Sequence, residues 1–319
     1  MLMATTLRFA AAAAVLASPA SAFANLRPRS RPASATKLRA KGGPGYPLGA
    51  KTEGLLINNR FCVDALAKAL PADVEMDEVG LLRFALAHPD NEREAEAALL
   101  DACDWRRTKG KDIVTRAREA VDAATAEGGW DNEVVRNAAP HASLINDYIT
   151  PDAVITTSTE DGDLVYVIRA SQINDKALMD NASVEQVCDF FLYAKEVHSL
   201  VANRRSTATG RMSSVLFAND IVGVRKPPDK RFSKALTSSS DQYESLYPSL
   251  AGPTLILNLP LILQAFVGLF KPLFPKAVQE RLVFTRAPVL ASLKDSIAPL
   301  GTDPTVKTNF VREVVSLLP

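Results

Sequence analysis

The chain has 319 residues, 47% hydrophobic and 23% charged, with a formal net charge of +1. These proportions exclude a disordered or fibrous protein and leave room for one large domain or two small ones. The charge is unevenly placed: no Asp or Glu precedes Glu53, whereas Arg8, Arg27, Arg29, Arg31, Lys37, Arg39, Lys41 and Lys51 do, and removing those eight positive charges leaves −7 for residues 53–319. A mildly acidic body argues against nucleic acid as the partner. Cys62, Cys103 and Cys188 are widely spaced, with no CxxC, and His88, His141 and His198 form no metal motif. Neither a disulfide framework nor a metal site is expected.

Residues 1–22 read as a signal peptide. Arg8 gives a charged start, residues 9–17 are an apolar run too short to anchor in a bilayer, and Ala20-Ser21-Ala22 offers small residues for cleavage. Residues 23–50 are basic, free of acids and rich in Ser, Pro and Ala, as in a transit peptide, and end in a Gly/Pro linker. Phe23, directly after the cleavage point, makes the stretch resemble the leader of plastid proteins in algae with secondary plastids. That resemblance implies a plastid destination. The alternative is secretion, or the endomembrane lumen, with a basic linker after the signal.

Residues 53–135 form a helical block. Val79, Leu82 and Leu86 recur at helical spacing, as do Ala95, Ala98, Leu99, Ala102 and Trp105, and then Ile113, Val114, Ala117, Ala120, Val121 and Ala124. Pro89-Asp90 separates the first two helices, and Glu92, Glu94 and Glu96 suit the start of the second. The block carries no evident chemistry and reads as a packing or lid module.

From residue 145 the period changes. Short β-rich runs at 164–168, 214–219, 254–259 and 282–285 alternate with helical segments, the longest at 184–201. The pattern predicts an α/β fold with a largely parallel sheet. No GxGxxG, GxxxxGK[ST] or GxSxG occurs, and no nucleophile–base pairing stands out, so an enzyme is not expected. Residues 245–270 contain no charge. Pro248, Pro253, Pro260 and Asn258 divide that run, so it reads as turn, strand and a helix from Pro260 rather than as a membrane span. The helix is apolar nearly all round, which suits an ordinary core helix or a cover over an apolar cavity.

Several ordered motifs resemble the CRAL-TRIO family, the fold of yeast-type phosphatidylinositol transfer proteins and of retinal- and tocopherol-binding proteins. They are Leu81-Leu-Arg-Phe84, Trp105-Arg106, the strand after Asp161-Gly-Asp163, Tyr247-Pro248, Asn258-Leu-Pro260 and Phe270-Lys-Pro-Leu-Phe274. The resemblance spans about residues 55–300. It implies an N-terminal helical module (53–135), then a lipid-binding domain (145–319) of mixed, largely parallel sheet flanked by helices around an apolar lipid pocket. Residues 260–271 would be its gate, with Pro260, Leu263 and Val267 in the moving helix. Tyr166, Phe217, Leu255, Leu257, Phe266 and Phe270 would line the pocket. Lys271 would meet a lipid phosphate, or else snorkel at a helix end. Two headgroup positions of the phosphatidylinositol subgroup hold Leu86 and Ser238 instead. The ligand class therefore stays open among phospholipids, prenyl lipids, sterol-like lipids and carotenoids.

Arg225, Lys226, Lys230, Arg231 and Lys234 crowd one segment around Pro227-Pro228. They suit a transient contact with an anionic membrane, or a merely solvated loop. Arg204, Arg205 and Arg211 pose the same choice. His198 and Cys188 read as structural residues of the long helix. No cofactor is expected besides a bound lipid or other hydrophobic small molecule, and the chain is expected to act as a monomer. Two functions of different class follow: a carrier that exchanges one hydrophobic ligand at membranes, and a regulatory module that docks on membranes or a protein partner through the same fold.

Overall fold

The computed structural model describes residues 45–126, 130–224, 226–258, 282–284, 300 and 303–318. Four helices come first: α1 (Thr52–Ala69), α2 (Glu78–Ala87), α3 (Glu92–Arg107) and α4 (Lys111–Thr125). Their ends are fixed locally. The Asp77 carboxylate accepts from the Gly80 amide at the start of α2, and the Asn91 side chain accepts from the Glu94 amide at the start of α3. Glu92 and Glu94 in the first turn of α3, with Arg106 and Arg107 in its last, complement the helix dipole. Gly110 is required at the α3–α4 joint, because a Cβ there would stand 2.4 Å from the Trp105 ring.

Two short helices, α5 (Asn132–Asn137) and α6 (Ala142–Ile145), lead into β1 (Val154–Ser158), a strand the sequence pattern does not predict. Then come β2 (Leu164–Arg169), α7 (Asp175–Asn181), α8 (Val184–Thr209), β3 (Val215–Asp220), α9 (Lys230–Asp241), α10 (Tyr243–Leu246), β4 (Ala251–Leu257), β5 (Leu282–Phe284) and α11 (Pro304–Val315). Helix α8 runs eight residues past the predicted end. A capping box between Ser183 and Gln186 starts it, and Gly210 ends it with φ 66°.

The sheet order is β1-β2-β3-β4-β5. β1 pairs antiparallel with β2, and the other neighbours pair parallel, so the sheet is mixed and largely parallel as expected. Strand β4 begins at Ala251, ahead of the expected Thr254, because Pro253 sits in a register shift that the ladder with β3 absorbs.

Strand alternation gives the sheet two buried faces. On the first, Leu164, Tyr166, Ile168 and Val215 pack into one core with α8, α9 and the helical block. On the second, Ile155, Val165, Val167, Leu216, Ala218, Leu255 and Leu257 pack with Leu300 and with Phe310, Val311 and Val314 of α11.

Candidate functional site: the sheet and the helix across it

The residues read as one pocket lining divide between these faces. Tyr166 and Phe217 lie on the first face, whereas Leu255 and Leu257 lie on the second, fully buried beside α11. The physical reason is the pleat. Phe217 pairs with Thr254, so Leu255 points away from the side that Phe217 occupies. Phe266, Phe270, Lys271 and the gate residues Pro260, Leu263 and Val267 lie outside the described residues, as do Arg225 and the leader.

On the first face a row of rings crosses the sheet under α8. Tyr166 meets His198 at 4.7 Å and Phe217 at 6.1 Å between centroids, and Phe217 meets Tyr243 at 5.8 Å, all edge to face. Phe217 lies mid-strand on β3, flanked by β2 and β4, yet it keeps part of its surface accessible.

Polar groups border the same layer. His198 is buried; its Nε2 lies 2.7 Å from Thr156 Oγ1, while Nδ1 has no partner among the described residues. Burial, with a smaller push from Lys195, lowers the His198 pKa to about 3, so the imidazole is neutral at physiological pH. The Tyr166 hydroxyl and both polar atoms of the Asn219 side chain are buried without a partner among the described residues. Lys195, three residues before His198 on α8, is buried too, and burial lowers its pKa to about 7. The sequence reading passed over Lys195 and Glu196. The available signal was two adjacent charges inside an otherwise apolar stretch of α8.

Three of the motifs that carried the family resemblance, through Arg83, Arg106 and Tyr247, lie elsewhere, where the helical block joins the sheet. Arg83 is buried and donates to Asn203 Oδ1, the Tyr46 hydroxyl and the carbonyls of Ser213 and Ser249. Arg106 donates through both terminal nitrogens to the Glu196 carboxylate, each at 2.8 Å, and its guanidinium lies over the Tyr247 ring. Burial pulls the Arg106 pKa down, but Glu196 outweighs it and the net shift is upward. A cleft of about 520 Å³ opens here, bordered by Glu75, Arg83, Arg106, Arg118, Glu196 and Tyr247. Leu70, Val74, Met76, Phe84, Leu200 and Leu246 also line it, so its walls mix charged and apolar groups. The motif residues thus hold the two parts of the fold together.

Neither of the expected headgroup positions carries a charge. Leu86 is buried, and the Ser238 carbonyl accepts from Gln242. Of the basic residues read as facing a membrane, Lys226 and Lys230 are exposed, but Arg231 is bound to Asp229 and Asp180, at 2.9 and 2.8 Å, and donates to the Met179 carbonyl. Its charge is spent locally. Arg204 pairs with Asp122 and Arg211 with Asp163, and Arg205 donates to Ser158 and Gly162, so the second basic cluster serves the fold. On the second face, Arg169 and Asp220 form a buried pair at the carboxyl ends of β2 and β3, and Asn258 donates to the same carboxylate.

No curated protein matches the chain. Among solved structures, the crystal structure of Sfh5 is similar, at 14% identity over 73% of this chain and 79% of that one, with a TM-score of 0.41. A family model described as the CRAL/TRIO domain matches residues 153–300. That span contains all five strands and the long helix α8, so the sheet-bearing part of the chain is the one that carries the match to the CRAL/TRIO domain family.

Proposed function

We propose that the chain binds one hydrophobic molecule inside the fold and exchanges it at membranes. The observation that carries this reading is the match of residues 153–300 to the CRAL/TRIO domain, a family of hydrophobic-ligand binders. Phe217, only partly buried in mid-strand on the first face of the sheet, supports it. Exposing an acyl chain or polyene to water costs about 0.8 kcal/mol per CH₂, so carrying one between membranes needs a closed apolar cavity. On this reading the uncharged run ending at Lys271 supplies the gate, residues 260–271, and Lys226 and Lys230 lead the approach to an anionic surface. Leu86 and Ser238 disfavour an inositol phosphate, since neither offers a charge to it. The N-terminal leader would direct this activity to a plastid. A fluorescent protein fused behind residues 1–50 and imaged in an alga with secondary plastids checks that destination, with secretion as the opposing outcome.

The test of the binding function is native mass spectrometry of the full chain purified from a lipid-containing host. One lipid or pigment per chain is the expected result. A chain that is empty, and stays empty after incubation with plastid lipid extract, would sink the carrier reading and leave a docking module.

A further inference from the structure

We propose that the ligand is an acidic lipid, a long-chain carboxylic acid, and that Lys195 is the counter-ion of its carboxylate in the layer between α8 and the sheet. The inference rests on the lipid-binding reading and names the class of lipid.

Lys195 sits in the middle of α8 with 7% of its surface exposed. Its ammonium donates one hydrogen bond, to the Ser239 carbonyl in the last turn of α9, and stands 5.4 Å above the Tyr243 ring. An ammonium has three N–H donors. No carboxylate lies within ion-pair distance of it among the described residues. Retaining a lone buried charge is costly, and a methionine would pack in the same volume. A buried amine kept at that position points to a negative charge that arrives with the ligand.

The neighbours fit that guest. Tyr243, under the ammonium, contacts Phe217, which is only partly buried. The Tyr166 hydroxyl, His198 Nδ1 and the Asn219 amide, on the same face of the sheet, have no hydrogen-bond partner among the described residues. Buried polar groups are nearly always partnered, so these three groups, lacking partners among the described residues, need an explanation. A carboxylate accepts up to four hydrogen bonds and supplies one negative charge, equal to the one positive charge present. A phosphate monoester carries more. Arg136, the cation that acts on Tyr166, spends its guanidinium on the carbonyls of Val154 and Ile149 and on Asn146.

The titratable groups around the amine are Cys188 and His198 on α8, Asp241 on α9 and Tyr243 on α10. Burial is the largest influence and lowers the Lys195 pKa to about 7, against smaller opposing pulls from Cys188 and Asp241. A bound carboxylate raises it again. Binding of the acid therefore takes up a proton near and above pH 7, and affinity falls as pH rises through that range.

The experiment uses the full chain, stripped of endogenous lipid and offered equal amounts of palmitic acid, methyl palmitate and hexadecanol, with occupancy read by native mass spectrometry. The acid should exceed the ester and the alcohol about tenfold, and Lys195→Met should abolish that preference while leaving ester and alcohol binding intact. Equal occupancy of the three by the natural chain would overturn the inference with the lipid-binding reading untouched, as would a preference that survives Lys195→Met. Occupancy by none of them would overturn both. Should Lys195→Met not fold, the natural chain alone decides: acid affinity should drop about tenfold or more between pH 7 and pH 9 while alcohol affinity stays level, and a level acid curve overturns the inference.

Discussion

Single residues settle what the buried charges do. Arg106 and Glu196 are 11% and 1% exposed at their side chains and joined by two hydrogen bonds. Removing one partner strands the other in a low-dielectric setting. Glu196→Gln should therefore cost about 3–5 kcal/mol, read as a shifted urea midpoint. His198 makes a pH prediction with a definite sign. Its pKa is lowered from 6.5 to about 3 in the folded state, so its contribution to stability is complete above pH 6.5 and lost as pH falls toward 3. Urea midpoints between pH 6.5 and 3 should fall more steeply for the natural chain than for His198→Gln. Lys195 has the same sign in another window. Its folded pKa lies below its unfolded one, so stability rises as pH climbs from about 7 toward 10.5.

At the scale of elements, helix ends and joints decide the local order. The capping box at Ser183 anchors the longest helix, the one that spans the first face of the sheet. Ser183→Ala should lower stability by about 1 kcal/mol in denaturant unfolding. Gly110→Ala should cost more than an ordinary loop substitution, about 1–3 kcal/mol, because the new methyl would meet the Trp105 ring. Periodicity foretold α2, α3, α4 and α8, each with an apolar side to bury, and named no stripe for α1, α9 or α11. It missed β1, whose residues Thr156, Thr157 and Ser158 are polar and only partly buried on an edge strand. It also began β4 late, because Pro253 reads as a breaker until a neighbouring strand absorbs it in a register shift.

Across the whole molecule the sequential strand order with parallel pairing sends the crossover helices α8 and α9 to one side of the sheet. The opposite face must then be covered by something else, and α11 packs there. Phe310→Ala would open a cavity against that face, at about 3–5 kcal/mol of stability measured by thermal or urea unfolding.

The sequence by itself determined the class of fold, the helical block, four of the five strands, and the ordered motifs that resemble the CRAL-TRIO family. These are local quantities: periods of 3.6 and 2, caps, turns and short word-like runs, all set by near neighbours in the chain. Only the tertiary structure decided which face each strand residue occupies. A strand has two equivalent sides until a helix covers one, so Leu255 and Leu257 could be placed with Tyr166 and Phe217 in the sequence but not in the sheet. The tertiary structure also decided the role of the charges. Whether an arginine is free or spent depends on partners tens of residues away, such as Asp180 for Arg231 or Glu196 for Arg106. For the same reason the role of Lys195, a charge in an apolar stretch of the sequence, became legible only once burial left it without an ion-pair partner among the described residues.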